Sequence, residues 1–359
     1  MTDRDCMQLA LELASRGRGK TSPNPMVGAV LVKDQRIIAK GFHQKFGGPH
    51  AEIMALKKAG IKAKGATLYV TLEPCFHYGK TPPCVDAIIK SGVKKVVVAM
   101  KDPNPLTKGK SIFKLRRFGI GVKMGILEKE SALLNESFIK FITKKMPFVI
   151  AKTAQTLDGK IATEKGQSQW ITSFKTRQFS KILRNEFDAV LVGINTVLLD
   201  NPYLNAVGRK KIKKVVLDSS LQISSEANLF KSTHPTNCII AVTKKADEKK
   251  IEHFRKKGVD VIICPSKNKQ ISLKWLLRKL ASKGIANLLI EGGAKVIGSA
   301  LKEKCVDKMR IFIAPKIMGD QAAMSSIQGI RVSHVSKAIR LKDIYCKKIG
   351  QDLFLEGYL

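Results

Sequence analysis

Acidic side chains are scarce in this 359-residue chain: 29 Asp and Glu stand against 65 Lys and Arg, leaving a formal net charge of +36. Long apolar runs are missing, and none approaches the roughly 18 residues of a spanning helix, which argues against an integral helical membrane protein. The opening MTDRDCMQLALELASRGRGK has acids and a short amphipathic stretch where a secretory signal needs a basic segment and then an apolar one, so a cytoplasmic setting is expected. No G-x-G-x-x-G turn occurs; the nearest run, Gly17-Arg-Gly19, lacks the third glycine, so any nucleotide cofactor binds by a route other than the Rossmann fingerprint. The cysteines number seven, an odd count that argues against a disulfide framework. Cys6, Cys238, Cys264, Cys305 and Cys346 are scattered and read as small buried hydrophobes, whereas Cys75 and Cys84 stand apart. With 44% hydrophobic residues the chain folds despite its charge.

The basic excess invites a nucleic-acid partner, because clustered cations release counterions from phosphate backbones. The excess is not clustered. Residues 1–146 carry 27 basic and 11 acidic side chains, and residues 147–359 carry 38 and 18. Lys supplies 51 of the 65 cations, while phosphate and base-edge recognition favours the planar fork of Arg. The expectation is a small-molecule enzyme with no nucleic-acid or membrane partner, whose field steers anionic substrates.

The length exceeds what one core usually serves, and the patterns split into two domains, 1–146 and 147–359. The first reads as a helix (Cys6 to Ala14), a hairpin (MVGAVLVKD, RIIAKGFH), a helix from His50 to Gly60, a strand (ATLYVTLEP), a helix from Pro82 to Ile89 and a strand (KKVVVAM). KFITKKMPFV reads as a basic linker. Beyond it, FVIAKTA, DAVLVG, KKVVLD, CIIAV, DVIIC, NLLIEGG, MRIFIAP and DLFLEG read as strands, with helical patterns between several of them, which predicts a second α/β domain on a mostly parallel sheet.

His50-Ala51-Glu52 opens a helix; Pro74-Cys75 follows a strand, with Cys84 nine residues on. One imidazole and two thiolates fill three tetrahedral positions and leave the fourth for water, the pattern of a catalytic zinc site. Glu52, two residues past a ligand, is placed to shuttle protons rather than to bind metal. H-A-E and P-C resemble the cytidine deaminase superfamily, in which P-C-x-x-C is usual. The longer PCFHYGKTPPC, with TSPNPMVGAV, GFHQKFGGPHAE and KDPNP, is similar to the bifunctional deaminase-reductases of riboflavin biosynthesis. The resemblance implies a cytidine-deaminase-like three-layer first domain in which His50, Cys75 and Cys84 hold one zinc ion and Glu52 moves protons. It places Asn24, His43, His77, Lys80 and Asn104 in loops that contact substrate. For each of the five, turn or capping chemistry is the alternative, and Asn24 and Asn104 sit between prolines, where turn roles are common.

In the second domain the residues alone show polar clusters at strand ends, around Asp158, Ser168 and Glu291-Gly292-Gly293, where parallel sheets bind ligands. The runs KTAQTLDGK, GQSQWIT, DAVLVGINTVLLDNP, VVLDSS and LLIEGGAKVIGSAL resemble the reductase half of the same family. That resemblance implies a dihydrofolate-reductase-like fold using NADPH, homo-oligomers formed through this domain, and a set of site residues. Ala154, Trp170, Thr196, Asp200, Ser219 and the loop Gly293, Ala294, Lys295, Val296, Ile297, Gly298, Ser299 would face the cofactor. Lys152, Ser168, Arg184, Leu204 and Glu291 would face substrate. Trp170 has a core residue as its alternative, and Arg184 a surface helix residue. The chain departs from the family after Asp200-Asn-Pro, where the expected phosphate-binding Arg is displaced to Arg209; Lys181 stands where many relatives have His. A competing reading is a tRNA adenosine deaminase with a basic accessory domain, which predicts P-C-x-x-C spacing, one short domain and clustered Arg.

Overall fold

The computed structural model describes residues 1–78, 82–208, 210–267 and 270–359. The chain divides into two compact units, Met1–Met146 and Pro147–Leu359.

The first unit runs α1 (Asp3–Ser15), β1 (Gly28–Lys33), β2 (Arg36–Phe42), α2 (Ala51–Ala59), β3 (Thr67–Leu72), α3 (Cys84–Lys90), β4 (Lys95–Met100), α4 (Lys110–Arg117), β5 (Gly121–Met124), α5 (Glu128–Leu134) and α6 (Glu136–Lys144). Its sheet has the order β2-β1-β3-β4-β5; β1 is antiparallel to both neighbours, while β3, β4 and β5 run parallel. Alternation along the strands builds three layers. Leu31, Leu68, Val70, Val96 and Val98 face Ala51 and Ala55 of α2 and Val85 and Ile88 of α3. Val30, Tyr69, Val97 and Ala99 face Cys6, Met7 and Ala10 of α1. Thr2 and Asp5 form a capping box, so α1 begins three residues before the apolar pattern that announced it.

The expected linker over KFITKKMPFV is a correction: residues 140–144 complete α6, and Phe148 opens the next strand. Three lysines obscure the pattern, but Phe138, Ile139 and Ile142 pack on the core at helical spacing.

The second unit runs β6 (Phe148–Thr156), β7 (Lys160–Ala162), α7 (Phe174–Leu183), β8 (Ala189–Gly193), α8 (Ile194–Asp200), β9 (Lys213–Leu217), α9 (Asn228–Lys231), β10 (Cys238–Val242), α10 (Glu248–Lys256), β11 (Asp260–Ile263), β12 (Ser266–Lys267), β13 (Gln270–Ile271), α11 (Leu273–Ser282), β14 (Asn287–Ile290), α12 (Ala294–Lys302), β15 (Lys308–Ala314), β16 (Met324–Ser325), β17 (Lys342–Ile349) and β18 (Asp352–Tyr358). The main sheet has the order β11-β10-β9-β8-β14-β6-β15-β18-β17. From β11 to β15 neighbours are parallel; β18 is antiparallel to both β15 and β17. All eight runs read as strands in the sequence are strands here. β17 was not among them, because all but its last residue are exposed and no alternation of burial marks it.

Candidate functional site

In the first unit, α2 and the segment from β3 to α3 deliver the three soft ligands to one corner. His50 is the N-cap of α2 and makes no capping bond, so its ring is free to turn to the thiols. Its Nδ1 lies 3.1 Å from Cys84 Sγ and 3.5 Å from Cys75 Sγ. All three donor atoms fall within 4.8 Å of one another. Tetrahedral zinc with bonds of about 2.0 to 2.3 Å needs donors separated by about 3.5 Å, so this set fits the ion. The neighbouring Cys84 thiol holds Cys75 well below the ordinary thiol value, aided by His50 and by the Cys84 N–H donating to its Sγ at 3.2 Å. Cys84 is pushed up by its Cys75 neighbour and by burial.

Glu52 sits in the first turn of α2, 3% exposed, on the lining of a cavity of about 370 Å³. Burial pushes its carboxyl up to about 7, with the nearby Cys75 charge adding to the effect. Gly41 on β2 makes room for this helix: a Cβ there would lie 2.4 Å from the Ala51 carbonyl oxygen.

Four of the expected substrate residues line the same cavity, namely Asn24, His43, His77 and Asn104. Lys80 lies outside the described residues. His43 Nδ1 donates to the Pro49 carbonyl at 3.0 Å, so its Nε2 accepts from Asn24 Nδ2 at 3.3 Å, and burial lowers its pKa. This ring is therefore neutral and orients the Asn24 side chain, while the Asn24 N–H closes a turn on the Thr21 carbonyl at 2.9 Å. Asn104 does serve a turn, its Oδ1 accepting from Leu106 N–H. His77 Nδ1 lies 3.2 Å from Thr107 Oγ1.

The sequence reading missed Glu73, Asp102, Phe138, Phe141 and Ile142, all on the lining. Glu73 Oε2 accepts from the N–H groups of Asp102 and Gly109, tying the loop after β4 to the end of β3. Burial raises Asp102 to about 6. The KDPNP run that carries Asp102 was the one available signal.

The second unit holds a cavity of about 1250 Å³, bordered by residues at the C-terminal ends of the parallel strands β8, β9 and β14. Every expected residue of this unit lines it except two. Gly298 is not on the lining but packs against the backbone of Gln328, which is, and a Cβ there would lie 1.7 Å from the Gln328 carbonyl oxygen; Arg209 lies outside the described residues. Arg184 grips Glu291 with two bonds, Nε to Oε1 at 2.9 Å and Nη2 to Oε2 at 2.6 Å, and donates from Nη1 to the Asn205 carbonyl. It is thus no surface helix residue. Burial would raise Glu291, but the Arg184 and Lys152 charges hold it below its ordinary value, while burial lowers Lys152. Trp170 is 60% exposed, so it is not core; its ring lies under the Arg177 guanidinium at 4.2 Å. Ser168 Oγ donates to Asp200 Oδ1. Gly293, φ +84°, precedes α12 and presents its backbone to the cavity, the arrangement that suits a phosphate group.

Residues 147–355 match the model of the RibD C-terminal domain, and residues 1–100 match the cytidine and deoxycytidylate deaminase zinc-binding region. The riboflavin biosynthesis protein RibD of Aquifex aeolicus is 48% identical over 98% of this chain and 97% of its own length. The chain belongs to the RibD family. Among solved structures, Acinetobacter baumannii RibD superposes with a TM-score of 0.91 at 38% identity, covering 99% of this chain and 98% of that one. A Thermotoga maritima diaminohydroxyphosphoribosylaminopyrimidine deaminase/5-amino-6-(5-phosphoribosylamino)uracil reductase superposes at 0.85, with 40% identity over 99% of this chain and 98% of that chain. The protein is accordingly a bifunctional deaminase and reductase of riboflavin biosynthesis, with a zinc-binding first half and a reductase second half of the NADPH-binding type. These RibD relatives lend no support to the tRNA-deaminase reading. Among the described residues, no helix is long and apolar enough to cross a membrane. Of the departures from the family pattern, Lys181 lines the reductase cavity.

Proposed function

We propose that the first unit removes the 2-amino group of 2,5-diamino-6-(5-phosphoribosylamino)pyrimidin-4(3H)-one, and that the second reduces the ribosyl group of the product to a ribityl chain, giving 5-amino-6-(5-phosphoribitylamino)uracil. The observation that carries the first half is the convergence of His50, Cys75 and Cys84 on one point, with His50, Cys75 and buried Glu52 lining one cavity. These three ligands would hold zinc, whose Lewis acidity makes a water molecule a competent nucleophile at neutral pH. Glu52 takes the proton of the attacking water and gives it to the ring nitrogen as the C–O bond forms. It then carries the second proton to the amine as the C–N bond breaks and ammonia leaves. Neutral His43 orients the Asn24 amide, whose remaining Oδ1 and N–H offer hydrogen bonds to the pyrimidine; His77 and Asn104, with Lys80, serve the ribose phosphate.

In the second unit NADPH supplies the hydride. Lys152, desolvated and within the fields of Glu291 and Arg184, supplies the proton as C1′ of the ring-opened ribosylamino group is reduced. Leu204 and Ser168 are read as facing the substrate, with Arg209 the candidate for its phosphate, and Gly293 to Ile297 and Ser299, with Ala154, Trp170, Thr196, Asp200 and Ser219, as facing the cofactor. We further read the protein as a cytoplasmic homo-oligomer joined through the second unit. Support comes from cysteines none of which is joined in a disulfide among the described residues, and from the exposed edge strand β17 with Ile344 and Tyr345 uncovered.

Purified protein supplied with zinc, NADPH and the diaminopyrimidine should release ammonia and oxidise NADPH. Glu52→Gln should lower ammonia release by about 100-fold or more while leaving reduction of the separately made deaminated intermediate intact. Wild-type protein that did neither reaction would overturn the assignment.

A further inference from the structure

Helix α6 carries three of the cavity residues that the sequence reading missed. Phe138, Phe141 and Ile142 stand at i, i+3 and i+4 and share one helical face. All three line the cavity that contains His50, Cys75 and Glu52. Phe138 is buried in the core, whereas Phe141 and Ile142 are half-buried. Several polar groups of the lining already have partners: Asn24 with His43, His77 with Thr107 behind it, and Asp102 with the Asn104 N–H. A flat heteroaromatic ring needs more than these edges; it needs apolar surface to lie against.

The helix is fixed by an unusual residue. Asn135 stands at the junction of α5 and α6, 1% exposed, and closes a two-bond ring with the backbone of Met26. Its Oδ1 accepts from Met26 N–H at 2.8 Å, and its Nδ2 donates to the Met26 carbonyl at 3.0 Å. Its Nδ2 also reaches the Ser131 carbonyl at 3.3 Å, and Ser131 Oγ donates to the Thr71 carbonyl of β3 at 2.6 Å. Met26 is two residues past Asn24, so one buried amide ties the turn that presents Asn24 to the start of the helix that presents Phe141.

We propose that Phe141 and Ile142 are specificity-determining residues of the deaminase, forming an apolar face for the pyrimidine ring, and that Asn135 is the positioning residue that sets this face against the Asn24 turn. The inference rests on the reading of the first unit as a pyrimidine deaminase. It is tested on the full-length, zinc-loaded protein by steady-state deamination of the diaminopyrimidine, alongside zinc content and reduction of the deaminated intermediate.

Phe141→Ala and Ile142→Ala should each raise the deaminase KM by about 10-fold or more, the scale on which a lost apolar contact discriminates. Their kcat, zinc content and reductase rate should stay near wild type. Phe141→Leu should restore most of the KM, and Asn135→Ala should raise KM more than it lowers kcat. An unchanged KM in both alanine variants would overturn the proposal. So would a fall in kcat that tracks loss of zinc, in the alanine variants and Phe141→Leu alike, because that is what a merely structural helix would give. Wild-type protein that released no ammonia would instead overturn the deaminase reading on which the inference stands.

Discussion

Lys214 brings an ammonium group into the core of the second unit, where the residue is 1% exposed. It donates to three neutral acceptors: Asn205 Oδ1 at 3.0 Å, the Leu229 carbonyl at 2.9 Å and Ser232 Oγ at 2.6 Å. Asn205 lines the reductase cavity beside Leu204, so a buried charge holds part of the cavity wall. Burial lowers its pKa to about 8; Cys238, itself raised to about 11 by burial, opposes this, and the Arg184 charge adds a smaller push in the same direction as burial. Below pH 8 the group is charged in both folded and unfolded chains, and the full cost of burying the charge is present. Between about 8 and the ordinary lysine value the folded protein binds fewer protons at this site than the unfolded chain, so rising pH favours folding. Arginine in its place stays charged throughout. Wild type should therefore gain stability over Lys214→Arg by up to roughly 1.4 kcal/mol per pH unit above pH 8. Urea unfolding of both proteins at pH 7.5 and 9.5 measures this; a pH-independent difference would mean that Lys214 keeps its charge throughout and that burial does not lower its pKa. Nothing in the sequence set Lys214 apart from its 50 fellow lysines, because its partners come from segments that only the fold brings together.

Elements that follow one another closely were legible in the sequence. The zinc ligands sit on strand-to-helix turns whose residue types and order identify them, and the strands of the second unit announce themselves as short apolar runs. Asn135 was invisible because its partner Met26 is 109 residues away, and α6 because its lysines mimic a linker. Gly41 is a further case: it looks like an ordinary strand glycine until α2 is laid across it. Gly41→Ala would put a methyl group 2.4 Å from the Ala51 carbonyl oxygen and 2.7 Å from the Ala55 nitrogen, both backbone atoms that cannot swing aside. Helix α2 must move, taking His50 and Glu52 with it, at a cost of about 1 to 3 kcal/mol. The expected result is weaker zinc retention under competition by a chelator and slower deamination, with the reductase rate unaltered. Retention equal to wild type would show that the helix adapts without disturbing the site.

The charge of the whole molecule is the feature that the two chemistries leave least explained. The +36 is spread nearly evenly over both halves and is mostly lysine, so it forms a broad field and not a cleft-shaped one. Both proposed substrates carry a phosphate group, and a diffuse positive field raises the encounter rate of small anions without adding a contact. At 0.1 M salt such a field is screened beyond about 10 Å. Raising ionic strength from 50 to 500 mM should accordingly lower kcat/KM for both reactions by a few-fold, chiefly through KM, and by similar factors because the halves carry similar charge. A nucleic-acid grip behaves differently, losing about 1,000-fold or more in affinity over a fourfold rise in salt when six or more phosphates are held. Steady-state kinetics of each half-reaction across a salt series separate the outcomes. No change would make the lysine excess a background of composition, whereas a fall confined to one reaction would mean that local cations at that site, and not the net charge, draw its substrate in.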